Sequence, residues 1–123
     1  MPVPAKINIV TLGVEDLERA AAFYAGLGWR RSAASNEQIV WFAMAGSVLG
    51  LFPFAHLAED ATLDPIRPQG FGGVTLAINV STEEEVQPAL DAAAAAGGTI
   101  TKPATRADWG GLSGYFADPD GYP

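Results

Sequence analysis

The sequence contains no cysteine. That absence excludes disulfides, thiolate nucleophiles and Cys-ligated zinc or iron–sulfur centres together. Histidine is reduced to a single residue, His56. Basic residues are scarce as well: 7 Lys and Arg stand against 14 Asp and Glu, a formal net charge of −7. A nucleic-acid partner needs a Lys/Arg surface to neutralise phosphates, so this balance argues against one. It favours solubility and, weakly, a cationic or neutral ligand. No run reaches the roughly 18 apolar residues of a membrane span. The opening residues, MPVPAKINIV, lack the basic segment and long apolar core of a signal peptide. A cytoplasmic chain with no membrane partner is expected.

What is present reads as one packed domain. Of 123 residues 49% are hydrophobic and 17% charged, which favours a globular core over disorder. The length suits one real core and is short for two independent ones.

Residues 6–14 alternate as a strand, with Val10, Leu12 and Val14 on one face and Ile7, Ile9, Thr11 and Gly13 on the other. Asp16 is a candidate N-cap for a helix over 16–25, whose stripe is Leu17, Ala20, Ala21, Phe23 and Tyr24. Gly26 and Gly28 end it. Strands are expected at 29–33, 38–43 and 47–52. The pattern then recurs. Residues 74–80 repeat the first strand, with Leu76, Ile78 and Val80 in the places of Val10, Leu12 and Val14.

Ser81, Thr82, Glu83 and Glu84 fit a capping box, with Glu84 reaching back to the cap backbone. A helix over 81–96 follows and stops at Gly97 and Gly98, and Pro88 predicts a kink or an irregular first turn. Further strands are expected at 99–104 and 114–117. Residues 54–72, with Pro65, Pro68, Gly70 and Gly72, read as the connection between copies. The chain is therefore one domain made of a module at about 5–53 and a second at about 73–123. Val10, Leu12, Leu76 and Ile78 are expected under the helices. By this reading the second copy lacks one strand, which would follow the turn Asp118-Pro119-Asp120-Gly121.

The segments INIVTLGVEDLERAAAFYAGLGW and GGLSGYFADPDGYP carry a likeness. Together they resemble the vicinal-oxygen-chelate superfamily, the glyoxalase/bleomycin-resistance/extradiol-dioxygenase group. The strand with V-x-D-L, then F-Y and L-G, is similar to that family's first module, and Y-F-x-D-P-D-G to its last hairpin. The resemblance implies an α+β fold: tandem βαβββ modules form a concave mixed sheet, helices lie on the convex side, and two copies dimerise. It also implies a divalent metal in catalytic members, held by a His on the first strand of one or both modules and a Glu on a last strand. Carried over, the first His position is Ile9, its counterpart is Thr75, and the first Glu falls near Gly50. The final Glu would fall a few residues past Pro123. No cofactor is expected, a divalent metal entering only if that alignment is displaced.

The remaining candidates have plainer alternatives. His56 could act as a base or ligand, but Glu59 and Asp60 beside it do not supply a convincing zinc spacing, and an exposed connection residue is the simpler reading. An oxygen-rich magnesium or manganese site stays open. Trp41, Phe52, Trp109 and Tyr115 could stack on a planar or cationic ligand; core packing is an equal alternative for Trp41 and Phe52. Trp109, flanked by glycines, suits a site rim. Thr11, Thr75 and Asn79 are polar groups on strand faces that could equally satisfy neighbouring backbone. The glycines at 70–73 lack the strand-before, helix-after setting of a phosphate loop. Glu83, Glu84 and Glu85 are a charged first helical turn.

The reading is a metal-independent small-molecule-binding protein, its ligand apolar, planar or cationic. Ile9, Thr11, Trp41, Gly50, Phe52, Thr75, Asn79, Trp109 and Tyr115 would line the site, in a homodimer. The alternatives are a metal-dependent lyase, isomerase or dioxygenase of the same superfamily, and a non-catalytic dimeric interaction module.

Overall fold

The computed structural model describes residues 2–123. It is a mixed α+β fold with two sheets and three α-helices, divided into two compact units. One unit takes the chain up to Ala21 and residues 29–65; the other takes residues 22–28 and 66–123.

The first unit is built on three strands, β1 (Ile9–Val14), β2 (Val40–Ala43) and β3 (Val48–Pro53), in the order β1-β3-β2. β1 runs parallel to β3, and β2 antiparallel to it. Register sets Val10 level with Leu49 and Phe42, and Leu12 level with Leu51 and Val40. One side of the sheet is thus a row of large aliphatic and aromatic groups, and Leu12, Val14, Val40, Phe42, Leu49 and Leu51 are all buried. Burial of each contributes about 1.5–3 kcal/mol. Helix α1 (Leu17–Gly26) starts where Asp16 Oδ1 accepts the Arg19 N–H at 3.0 Å, the N-cap bond that the sequence implies. The strand expected at 29–33 is only a single bridge, Arg31 to Phe42. The chain turns away at once, because the Ser32 hydroxyl accepts from the Ala34 N–H and competes with a ladder.

Residues 54–60, read from sequence as connection, form helix α2 (Phe54–Asp60). A Cβ on Gly13 would lie 2.9 Å from Phe54 and 3.3 Å from Leu57, so the bare glycine is what lets α2 close on β1.

In the second unit a single 3₁₀ turn (Glu83–Glu85) leads into helix α3 (Val86–Ala95). The irregular entry that Pro88 predicts is found here: Pro88 sits in the first turn of α3, where a missing N–H breaks no helical bond. The capping box is displaced by one residue. Thr82, not Ser81, holds the cap position, and its hydroxyl donates to Glu85, not Glu84, at 3.0 Å. β4 (Thr99–Arg106) and β5 (Leu112–Ala117) pair antiparallel with two register shifts. Phe23, Tyr24, Leu90, Ala93 and Ala117 form the buried core of this unit, with Phe23 edge-on to Tyr24 at 4.9 Å.

Residues 74–80 are not a strand. Leu76 and Ile78, expected under a helix, are 42% and 54% exposed. Alternation describes the side chains a strand would present, but a strand needs a neighbour, and this segment joins no ladder among the described residues. Among those residues no helix is long and apolar enough to cross a membrane.

Candidate functional site

The side of the first sheet opposite its aliphatic row carries Ile9, Thr11, Gly13, Trp41, Gly50 and Phe52, which follows from the period of two along each strand. Thr11, Gly50 and Trp41 stand in one row across β1, β3 and β2. A Cβ on Gly50 would meet the Trp41 ring at 2.6 Å and the Thr11 Oγ1 at 3.3 Å. The indole therefore lies over the glycine, and the threonine hydroxyl flanks it. Trp41, Thr11 and Phe52 are each partly exposed, and Ile9 is 51% exposed. Chemically this is a flat aromatic plate with one neutral donor–acceptor beside it.

Helix α2 stands at one end of this face, where Phe54 and Leu57 close on Gly13. It brings His56 near the Phe52 ring, with centroids 6.0 Å apart. Sequence reasoning passed over this wall, although Phe54, Leu57 and Ala58 recur at helical spacing.

At the two first-unit positions that the resemblance gives to ligands of a divalent metal, the residues present offer no side-chain donor. Ile9 presents a hydrocarbon with no lone pair, and Gly50 has no side chain. The indole of Trp41 fills the space a carboxylate stem at 50 would need. Among the described residues no three His, Asp or Glu stand close enough together to hold an ion.

Thr75, Asn79 and Tyr115 belong to the second unit, where they line a slot of about 470 Å³ beside residues 74–80. Tyr115 is 40% exposed there. Trp109 is not among the residues lining that slot. It lies between β4 and β5, 83% exposed, with its ring folded over Gly111.

A buried polar node anchors the end of β5. Asp118 Oδ1 accepts the Asp120 N–H at 2.9 Å and the Tyr122 N–H at 3.0 Å, and Oδ2 accepts the Tyr24 hydroxyl at 2.5 Å. Burial pushes the Asp118 carboxyl up, while the Tyr24 hydroxyl and the two backbone donors pull it down without cancelling the rise. Burial, together with the Asp118 charge, pushes Tyr24 up as well. The Asp-Pro-Asp-Gly turn is therefore a structural lock.

Fold and site together define a two-unit α+β protein with an open aromatic sheet face. Residues 6–123 match the Glyoxalase/Bleomycin resistance protein/Dioxygenase superfamily, and the chain belongs to it. It is similar to a glyoxalase-related enzyme from Fulvimarina pelagi, at 38% identity over 97% of this chain and 84% of that one, TM-score 0.87. A lactoylglutathione lyase from Agrobacterium tumefaciens is 26% identical over 98% and 90% of the two chains, TM-score 0.71. A family enzyme from Burkholderia phytofirmans shares the fold at 20% identity over 94% and 91%, TM-score 0.83. No curated protein matches.

Proposed function

We propose that this chain is a metal-independent small-molecule-binding protein of the superfamily, holding a planar, apolar or cationic ligand on the face of β1, β2 and β3. The carrying observation is the row Thr11–Gly50–Trp41, in which a glycine lets an indole lie flat and partly open beside a hydroxyl. Stacking on an indole is worth about 0.5–2 kcal/mol per contact and suits flat or cationic groups. The net charge of −7 adds long-range attraction for cations. Ile9 and Gly50 support metal independence, since neither carries a side-chain donor. The protein acts as a cytoplasmic homodimer in this reading.

Tryptophan fluorescence titrated with a broad panel of planar and cationic aromatic compounds tests it. At least one class should quench, and Trp41→Phe should abolish most of that response. Trp109→Ala reports whether the β4–β5 turn adds to the site. No quenching by any compound would favour the interaction module.

A second reading, an enzyme of the superfamily, is favoured by the 38% identity to a protein described as a glyoxalase-related enzyme. It requires metal ligands at other positions. Elemental analysis after metal loading and desalting separates the two. Near one equivalent of zinc, nickel, manganese or iron, lost on changing Thr75 or Asn79, would put the enzyme first.

A further inference from the structure

α2 and α3 end in the same hydrogen-bonded turn, with different residues at its left-handed position. At the end of α3 the Gly97 N–H bonds to the Ala94 carbonyl and the Gly98 N–H to the Ala93 carbonyl, and Gly97 takes φ +106°. At the end of α2 the Thr62 N–H bonds to the Glu59 carbonyl at 3.0 Å and the Leu63 N–H to the Ala58 carbonyl at 2.8 Å. There Thr62 takes φ +58°. In such a closure the residue of positive φ is usually glycine, because a Cβ crowds the following carbonyl oxygen. Among the described residues Thr62 is the one non-glycine residue with positive φ, and a β-branched side chain is a genuine outlier there. Its hydroxyl donates to the Ala61 carbonyl at 2.6 Å, which ties the turn while the crowding stays.

The helix that this strained turn closes has little else to hold it. α2 spans 7 residues, its N-cap Pro53 makes no side-chain cap bond, and none of its residues is buried. A helix that short is marginal by itself and depends on packing. The packing it has lies at the end of the sheet face. Phe54 and Leu57 close on the bare Gly13, and His56 stands 6.0 Å from the Phe52 ring. Strain kept in a lightly packed element beside a candidate site marks a segment with two arrangements close in energy.

We propose that α2 is a lid on the face of β1, β2 and β3. In the free chain it exchanges between its seat on Gly13 and an unseated form. It is held closed when a planar compound lies on Trp41 and reaches past Gly50 to Phe52, about 7 Å further along β3. The compound supplies the apolar surface that α2 lacks, against Phe54, Leu57 and the His56 ring. Pro53 and Thr62 bound the segment that moves, and the strain at Thr62 keeps the seated form from dominating before the compound arrives. The lid rests on the ligand reading of that face and adds a moving part to it.

Amide hydrogen exchange, read residue by residue, tests the lid in two arms. With no compound present, amides from Ala58 to Leu63 should exchange faster than those of α3. Thr62→Gly should slow them about fivefold or more, the size of the left-handed penalty it removes, and leave α1 and α3 unchanged. Thr62→Asn should fall between the two chains, since Asn tolerates this region better than a β-branched residue. No slowing in Thr62→Gly, or α2 amides already as slow as those of α3, overturns the proposal. The second arm adds N-methylquinolinium, a planar cation, or caffeine, a neutral planar ring, at millimolar concentration. The compound whose quenching of Trp emission is lost in Trp41→Phe should also slow the α2 amides. Thr62→Gly should tighten its binding severalfold, because less of the chain is unseated. Quenching with α2 exchange unchanged, or a slowing spread evenly over α1, β1 and β3, overturns the lid and leaves the ligand reading standing. No quenching by these two or by the wider panel removes the ligand reading and the lid together.

Discussion

Gly50 sets the character of the β1–β3–β2 face, because any side chain there collides with the indole of Trp41 at 2.6 Å. Gly50→Val should therefore tilt the ring off the sheet. The expected result is a shifted Trp emission, loss of ligand quenching and a destabilisation of about 1–3 kcal/mol by urea denaturation. An unchanged emission and unchanged binding would remove the row from the site. Asp118 governs a different property. Its carboxyl is raised above the ordinary 3.8 by burial. Between 3.8 and the raised value the folded chain keeps a proton that the unfolded chain releases, so stability falls as pH rises through that window and is level above it. Glu18 and Glu83 have the opposite sign. Hydrogen bonds from Arg31 and Arg106 lower them, and their stabilisation is present above 4.5 and fades as pH falls through the lowered values. Both are exposed, so the effect is small. Urea midpoints from about pH 4 to about pH 7 should decline for the natural chain. Asp118→Asn should flatten that decline, since an amide still accepts from backbone N–H groups but cannot ionise. Tyr24→Phe removes one of the influences that lower Asp118 and should carry the decline to higher pH. A midpoint that climbs steadily with pH in all three chains would contradict this account.

Elements whose signals are local were legible in the sequence, and those that depend on a neighbour were not. β1 and α1 follow from alternation and an Asp cap, and α3 ends at its glycines as their positions imply. The Gly97 N–H bonds to the Ala94 carbonyl and the Gly98 N–H to the Ala93 carbonyl, while Gly97 takes φ +106°. That pair of bonds closes the helix as a Schellman motif. Gly97→Ala should destabilise by about 1–2 kcal/mol through the positive φ alone. Gly98→Ala should do more, because its Cβ would lie 2.9 Å from the Ala117 carbonyl and 3.0 Å from that of Ala93. Thermal unfolding of the two variants checks the order; a reversed order would mean that the corner relaxes. By contrast, the alternation at 74–80 reads as a strand because side-chain pattern says nothing of a partner. The α2 wall was hidden by its brevity. That Ile9 and Thr11 share a face of one strand, and Gly50 and Phe52 a face of another, was legible from period two, while their standing on one side with Trp41 follows from the register of the strands. The indole lying over Gly50 was not legible, since it depends on which residue of β2 faces which residue of β3.

Apolar groups at and beside the sheet face are open to solvent. Ile7 and Ile9 are 76% and 51% exposed, and Ile9 shares its side of the sheet with the partly open Trp41 and Phe52. Exposed residues scattered singly need no explanation, but an apolar sheet side that also holds an indole does. A second copy meeting it across a two-fold axis is the default way to cover such a surface. Each copy carries a net charge of −7, so long-range repulsion opposes association at low ionic strength. Adding salt to about 0.15 M shortens the Debye length to about 8 Å and should raise the dimer fraction. An association held by ion pairs would weaken instead. Light scattering at micromolar concentration should therefore give twice 12.8 kDa, with a larger share of dimer at higher salt. Ile9→Glu places a carboxylate on the face and adds to the repulsion, so it should return the chain to monomer with its circular dichroism unchanged. A natural chain that runs only at 12.8 kDa under all these conditions is monomeric. The exposed isoleucines would then be left to the ligand alone.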